Sequence, residues 1–199
     1  MISSTQTLPE GYIRIVEINL AKNKGLAVLL NIIGLFISIV TFVLSWSFTN
    51  WFIPGKLPNT YLFKADLATI SWLSVLGILV ILSLMIHEFI HGFFFWFFTR
   101  SKPVYALHLA YAYAAAPGWY LPVRLYRIIG FAPLVLMDVI GLLTITLVQP
   151  NWILILVFLI AFNTGGSVGD MWIMWNTLGK SPECLVNDVG DGVTFFEAP

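Results

Sequence analysis

Charged residues are scarce in this sequence, and their signs cancel. Among 199 residues there are ten Lys and Arg and ten Asp and Glu, which together make up 10% of the chain. A protein that binds nucleic acid needs a basic surface to neutralise phosphates, and a chain without net charge gives no sign of one. The composition therefore argues against a nucleic-acid partner.

Cysteine and histidine are also rare. The single cysteine, Cys184, cannot form a disulfide within the chain, and it lacks the neighbouring thiols of a thiolate metal site. Only three histidines occur. We interpret Cys184 as an ordinary residue, so that any metal chemistry must depend on the few histidines and acidic residues.

Hydrophobic residues are abundant instead, at 59% of the chain with a mean hydropathy of +0.89. Four runs reach the roughly 20 apolar residues that a membrane-spanning helix needs. We predict a single integral-membrane domain over residues 1–199, of the all-α membrane class. Its predicted spans are residues 26–48, 68–98, 126–148 and 151–178.

The basic residues predict the orientation of these spans. Lys and Arg accumulate on the cytoplasmic side of membrane proteins. Eight of them lie before the first span, between the second and third, or after the fourth, and two lie in the other loops. We therefore predict a cell-membrane protein with cytoplasmic tails at residues 1–25 and 179–199. The eight are Arg14, Lys22, Lys24, Arg100, Lys102, Arg124, Arg127 and Lys180, and the two are Lys56 and Lys64.

Three segments outside the spans have patterns of their own. Residues 11–20 alternate in strand fashion, and residues 184–198 read as two short strands around a Gly-Asp-Gly turn. Because both tails lie on one side, we predict a small cytoplasmic β element formed by the two. Residues 102–123 are apolar but interrupted by prolines, which predicts a broken interfacial or re-entrant loop between the second and third spans.

The second span contains the motif His-Glu-x-x-His, formed by His87, Glu88 and His91. On a helix the two histidines face the same way, with the glutamate beside them. Two imidazoles can bind one zinc ion, and Glu88 can take a proton from the metal-bound water. This arrangement predicts a metal site at His87 and His91 with Glu88 as catalytic base.

The hydrophobic surroundings strengthen the interpretation of this short motif. An ionisable group near the centre of a membrane helix costs about 2.5–3.5 kcal/mol on insertion scales, so such groups are rare without a function. The alternative is structural: both histidines are neutral and form hydrogen bonds inside the helix bundle.

A catalytic zinc usually has three protein ligands and one open position. Asp138 and Asp170 compete for the third place, and their depth separates them. His87 and Asp170 each lie 19 residues, or about 28 Å, from the outer end of their span, whereas Asp138 lies only about 15 Å from its own. We predict that Asp170 is the third ligand and that Asp138 makes a polar contact inside the bundle or relays protons.

Two further polar residues lie outside the predicted ligand set. Asn163 shares one helical face with Asp170, and two roles are open to it: a hydrogen bond to a substrate carbonyl or developing oxyanion, and a polar contact between helices. His108 lies in the broken loop without a spacing partner. We interpret it as structural rather than as a metal ligand.

Four motifs resemble those of a family of small bacterial membrane proteins described as putative zincin peptidases, itself a domain of unknown function. They are HEFIHG (87–92), YAYAAAPGWYLP (111–122), GFAPLV (130–135) and NTGGSVGDMW (163–172). The resemblance extends from about Tyr12 to the C-terminal tail, and the name rests on the motif. It implies that His87, His91 and Asp170 are zinc ligands and that Glu88 is catalytic.

The helix arrangement also resembles, more distantly, the core of site-2 proteases, the intramembrane zinc proteases. That family typically has Asn-x-Asp-Gly-like spacing on its ligand helix, whereas Asn163 and Asp170 are seven residues apart. The difference concerns the role of Asn163 more than that of Asp170.

These observations predict a zinc-dependent intramembrane metalloprotease that hydrolyses membrane-bound or membrane-inserted peptides. The alternative is a non-enzymatic membrane protein in which the same residues bind a metal, serve transport or hold helices together. A transporter needs a polar path through the bilayer, and the spans offer few ionisable residues for one.

Overall fold

The structure is a computed structural model that describes residues 3–57, 67–107 and 111–198. It is mostly helical, and four helices are long and apolar enough to cross a membrane, as the four hydrophobic runs predict. The helices, in chain order, are α1 (Lys24–Phe52), α2 (Leu67–Thr99), α3 (Val123–Leu147), α4 (Pro150–Gly166) and α5 (Val168–Trp175). The strands are β1 (Ile13–Asn19), β2 (Val104–Leu107), β3 (Ala112–Ala115), β4 (Tyr120–Pro122), β5 (Leu185–Asp188) and β6 (Gly192–Glu197).

The long helices expose large apolar side chains over much of their surface. Leu35 in α1 and Ile81 in α2, for example, are 66% and 61% exposed. Such surfaces are unfavourable in water, but in a bilayer the lipid tails cover them. The fold is therefore that of a multi-pass membrane protein.

Helix α1 packs mainly against α4, and α3 packs against both α2 and α4. Glycines allow the closest approach between α1 and α4. A Cβ atom added to Gly165 would lie 2.4 Å from the carbonyl oxygen of Gly34. The backbones of α1 and α4 therefore approach each other closely at these two glycines.

The fourth span consists of two helices rather than one. The break falls at Ser167, whose hydroxyl donates to the carbonyl of Asn163 over 2.8 Å. A serine whose side chain forms a hydrogen bond with the preceding turn commonly bends a helix. The flanking glycines offer little resistance to such a bend. Helix α5 ends at Trp175, three residues before the predicted end, and a left-handed Gly179 follows.

A four-stranded antiparallel sheet has the order β1-β6-β5-β4. It joins the N-terminal segment, the C-terminal segment and the residues just before α3, so all three lie at one end of the helix bundle. The predicted pairing of the two tails is confirmed. The cytoplasmic location of this end remains a prediction from the charge count.

The sheet packs onto the helix bundle through a common core. Leu121, Val186 and Phe195 are fully buried in the sheet, and they belong to one cluster with Phe95 of α2 and Tyr126 of α3. Cys184 is fully buried there too, which agrees with its interpretation as an ordinary residue. Burial raises the pKa of its thiol to about 11.

Residues 102–123 were predicted as a broken interfacial or re-entrant loop, and their described part, residues 102–107 and 111–123, contains three strands. β2 and β3 form a two-stranded antiparallel sheet beside α2, and β4 joins the larger sheet. The alternation of tyrosine and alanine over residues 111–114 is a strand pattern that the prolines concealed. The depth of this segment in the bilayer remains a prediction.

Candidate metal centre

Helix α2 presents two histidines to the interior of the bundle. His87 and His91 are four residues apart and therefore lie on one helical face. They are only 8% and 7% exposed, and their rings meet edge to face with centroids 4.9 Å apart. A continuous helix is enough to bring these two side chains together.

Asp170, in the first turn of α5, completes the group. Its Oδ2 lies 3.1 Å from Nε2 of His87 and 3.5 Å from Nε2 of His91. One ligand atom from each of the three residues lies within 4.8 Å of the other two. The structure thus brings Asp170 to the histidines, as the depth comparison predicts, and leaves Asp138 farther away on α3.

The Nδ1 atom of each histidine faces an oxygen atom on a neighbouring helix. Nδ1 of His87 is 2.9 Å from Oδ1 of Asn163, and Nδ1 of His91 is 2.9 Å from the carbonyl oxygen of Ile129. An oxygen that only accepts requires the hydrogen on Nδ1, which leaves the Nε2 lone pair free. Both lone pairs then face Asp170, as is usual for histidines that bind a metal.

The sequence explains why the carbonyl oxygen of Ile129 has no backbone donor within its helix and is available to His91. In an α-helix this oxygen would accept from the backbone N–H four residues later. That residue is Pro133, inside α3, and proline has no N–H. Ile129 was not predicted as part of the site, although a proline in the middle of a predicted span is the signal for an unpaired carbonyl one turn earlier.

Glu88 lies beside the group but outside it. Its carboxylate interacts with the backbone amide of Ala114 in β3. Its Oε2 is buried and has no hydrogen-bond partner within the described part of the chain. A buried carboxylate oxygen without a donor is costly unless another molecule, such as a water or a substrate, supplies one.

Strand β2 comes close to α2 directly after the histidines. A Cβ atom added to Gly92 would lie 2.0 Å from the hydroxyl oxygen of Tyr105, so only glycine admits that ring. The glycine of the HEFIHG motif thus leaves room for the Tyr105 ring to pack against α2. Burial raises the pKa of Tyr105, and the nearby Glu88 charge raises it further.

A cavity of about 950 Å³ opens onto these side chains. It is bordered by all five helices, by β3 and by the turn between β5 and β6. Its lining includes His87, Glu88, His91, Asn163 and Asp170. The volume is within the usual range for small-ligand and peptide side-chain pockets.

The remaining sequence candidates have different positions. Asn163 is 4% exposed and contacts both His87 and Asp138, so it has the interhelical contact that was one of its two predicted roles. A substrate or oxyanion contact by Asn163 remains a prediction. Asp138 accepts hydrogen bonds from Asn163 and Thr164, a polar contact inside the bundle. His108 lies outside the described residues.

The three side chains suit a zinc ion in number, chemistry and spacing. Two imidazole nitrogens and one carboxylate oxygen form a ligand set of catalytic zinc sites, which keep a fourth position open. Zinc at about 2.0–2.1 Å from tetrahedral ligands holds the ligand atoms about 3.3 Å apart. The observed separations from Asp170 to the two histidines, 3.1 and 3.5 Å, agree with this value.

The fold and the site together define a multi-pass membrane protein with a candidate metal centre of the His-His-carboxylate kind. The chain belongs to the family described as "putative zincin peptidase", whose family model matches residues 80–185, more than half of the chain. The matched region contains His87, Glu88, His91 and Asp170, and the resemblance to this family is thereby confirmed. No curated protein and no solved structure gives a match. The more distant likeness to site-2 proteases remains a prediction.

Proposed function

We propose that the protein is a zinc-dependent peptidase that hydrolyses peptide bonds of membrane-associated substrates. One observation carries the proposal: His87, His91 and Asp170 converge on one point beside Glu88, whose buried Oε2 has no hydrogen-bond partner among the described residues. A metal-ligand group next to a carboxylate oxygen that can still accept a proton is the arrangement that metal-assisted hydrolysis needs. The family description supports the same reaction class.

The roles of the residues follow from their positions. His87, His91 and Asp170 hold the zinc, which when bound polarises a carbonyl and makes a water more acidic. Glu88 takes the proton from that water as general base. It then returns the proton to the nitrogen of the leaving amine, which restores its carboxylate. The hydrogen bonds to Nδ1 keep both imidazoles oriented throughout.

The position of the site supports a substrate in the membrane. His87 lies about 18 Å from the C-terminal end of α2 and about 30 Å from its N-terminal end, so it is far from both ends of a membrane-spanning helix. The cavity is bordered on one side by α1, which contributes Asn31 and Ser38. Such polar groups can satisfy the backbone of a peptide that has unwound from a helix inside the bilayer.

Replacement of the catalytic base provides the first test. Glu88→Gln should still bind one zinc ion but should cleave a co-expressed, tagged single-span membrane protein about 10²–10⁴-fold more slowly, because the amide cannot accept the proton. Glu183→Gln, an exposed substitution in the C-terminal segment, is the matched control and should cleave like wild type. Undiminished cleavage by Glu88→Gln would rule out this role.

Metal analysis of the purified protein tests the ligand group separately. Wild type should contain one zinc per chain and Asp170→Ala much less, while Asp191→Ala, in the turn between β5 and β6, should retain it. The helix-packing alternative predicts another outcome: wild type without stoichiometric zinc, and a His87→Ala variant that is less stable than wild type because the buried contacts of His87 with Asn163 and Asp170 are lost.

A further inference from the structure

Three side chains on three helices form a hydrogen-bonded chain that ends at His87. Asp138 of α3 accepts at Oδ1 from Nδ2 of Asn163 in α4 over 2.8 Å. Oδ1 of the same amide lies 2.9 Å from Nδ1 of His87 in α2. Asn163 is 4% exposed, so water has little access to the middle of this chain.

The amide of Asn163 has two ends of opposite character. Its NH₂ group donates and its oxygen accepts, and rotation by half a turn exchanges them with almost no change in shape. Shape alone therefore does not determine which end faces His87. A neighbour that can only accept determines it, because such a neighbour repels the amide oxygen and attracts the NH₂ group.

Asp138 is that neighbour. Its Oδ1 faces the amide, while its Oδ2 accepts from the hydroxyl of Thr164 over 2.7 Å. With the NH₂ group of Asn163 held by Asp138, the amide oxygen faces His87 and requires a hydrogen on Nδ1. The Nε2 lone pair of His87 then faces Asp170, where a metal ligand is needed.

We propose that Asp138 is a positioning residue, which fixes the tautomer of His87 through the side-chain amide of Asn163. The inference rests on the proposed function, because a defined Nε2 lone pair matters for a residue that binds a metal. It assigns a purpose to an acidic residue in the interior of a membrane bundle, where such residues are costly without one.

His91 provides an internal reference for this assignment. Its Nδ1 faces the backbone carbonyl of Ile129, which cannot rotate and has only acceptor character. No part of that contact depends on Asp138. A change at Asp138 should therefore alter His87 and leave His91 as it is, whereas a general loosening of the bundle should alter both.

The test substitutes Asp138→Asn and reads the tautomers directly. An asparagine can present either end to Asn163, so the amide is no longer held in one orientation. ¹⁵N spectra of histidine-labelled protein in detergent micelles distinguish Nδ1–H from Nε2–H rings, and three histidines keep the spectrum assignable. The spectra are recorded on zinc-loaded protein, because without the ion the Asp170 carboxylate, 3.1 Å from Nε2 of His87, would itself favour a hydrogen on Nε2. Zinc affinity is measured in parallel on the same samples.

We expect His87 of zinc-loaded wild type to carry its hydrogen on Nδ1, bonded to Asn163, and we expect this hydrogen-bonded Nδ1 signal to shift in Asp138→Asn while that of His91 is unchanged. Zinc affinity should fall about 10–100-fold, the usual loss when the partner of a metal-bound histidine is removed. Thr164→Val is the matched control, since it removes the other hydrogen bond to Asp138 but leaves Asn163 in place. It should keep the wild-type tautomer and affinity.

Several results would overturn the assignment. They are a zinc-loaded wild-type His87 without a hydrogen on Nδ1, an unchanged His87 Nδ1 signal in Asp138→Asn, and equal losses in Asp138→Asn and Thr164→Val. The first needs no variant, so it decides the matter even if Asp138→Asn does not fold. If wild type binds no zinc but Asp138→Asn still shifts the His87 Nδ1 signal, the proposed function fails while the contact through Asn163 stands.

Discussion

The hydroxyl of Tyr126, in the first turn of α3, donates to Oδ2 of Asp188 at the end of β5 over 2.6 Å. Both side chains are buried, at 4% and 7% exposure. The bond joins the sheet to the helix bundle at the edge of the cavity. Oδ1 of the same carboxyl group accepts from the backbone of Gly190, which forms the turn between β5 and β6.

Loss of the Tyr126 hydroxyl should destabilise the protein. Tyr126→Phe leaves Oδ2 of a buried carboxyl group without its donor, which costs about 1–3 kcal/mol in the free energy of unfolding. Tyr12→Phe is the matched control, because the hydroxyl of Tyr12 donates to Glu183 at the exposed surface, where water can replace it. Chemical denaturation in detergent micelles measures both, and equal stability of the two variants would contradict the prediction.

Asp188 should also make stability depend on pH. Burial raises the pKa of its carboxyl group from 3.8 to about 6, although the hydrogen bond from Tyr126 acts in the opposite direction. Between about pH 4 and pH 6 the folded protein therefore keeps a proton that the unfolded chain has released. The free energy of unfolding should fall as pH rises through this window, by an amount on the order of 3 kcal/mol.

The pH prediction is tested by the difference between variants. Asp188→Asn cannot titrate, so its free energy of unfolding should vary less between pH 4 and pH 6 than that of wild type. Asp191→Asn, in the same turn, should keep the wild-type slope. A wild-type protein that becomes more stable over this range, relative to Asp188→Asn, would show that the sign is wrong.

Two adjacent glycines in α4 should respond very differently to the same substitution. A Cβ atom on Gly165 would lie 1.9 Å from the Ser38 hydroxyl oxygen and 2.4 Å from the Gly34 carbonyl oxygen, whereas one on Gly166 meets no atom within 4 Å. Gly165→Ala must therefore push α1 away from α4, at a cost of about 1–3 kcal/mol or more. Gly166→Ala should be neutral or slightly stabilising, because alanine favours a helix. Thermal unfolding of both variants provides the comparison, and a tolerated Gly165→Ala would refute the close helix contact.

The sequence predicted the spans because hydrophobic run length is a local property. Residues 26–48, 68–98 and 126–148 correspond to α1, α2 and α3 with shifts of a few residues at their ends. The strands of the tails were predicted from alternation, also a local property. The β2–β3 sheet was missed because prolines and alanines dominate its surroundings, and strand pairing depends on partners that are distant in the chain.

Part of the candidate site could likewise be predicted from local sequence, and part could not. The spacing of His87, Glu88 and His91 on one helix is enough to place them together. A depth argument was enough to prefer Asp170 over Asp138, because helices in a bilayer share a common axis direction. The acceptors of the two Nδ1 atoms required knowledge of which helices are neighbours.

The sequence by itself determined that this protein has four segments long and apolar enough to cross a membrane, and that two histidines share one helix face with a glutamate beside them, since both follow from hydropathy and helical period. Only the tertiary structure decided that Asn163 and Ile129 meet the two histidines, and that Asp138 lies behind Asn163. These contacts depend on the rotation and lateral arrangement of the helices. Those are set by packing details, such as the contact of Gly34 with Gly165, that no local pattern specifies.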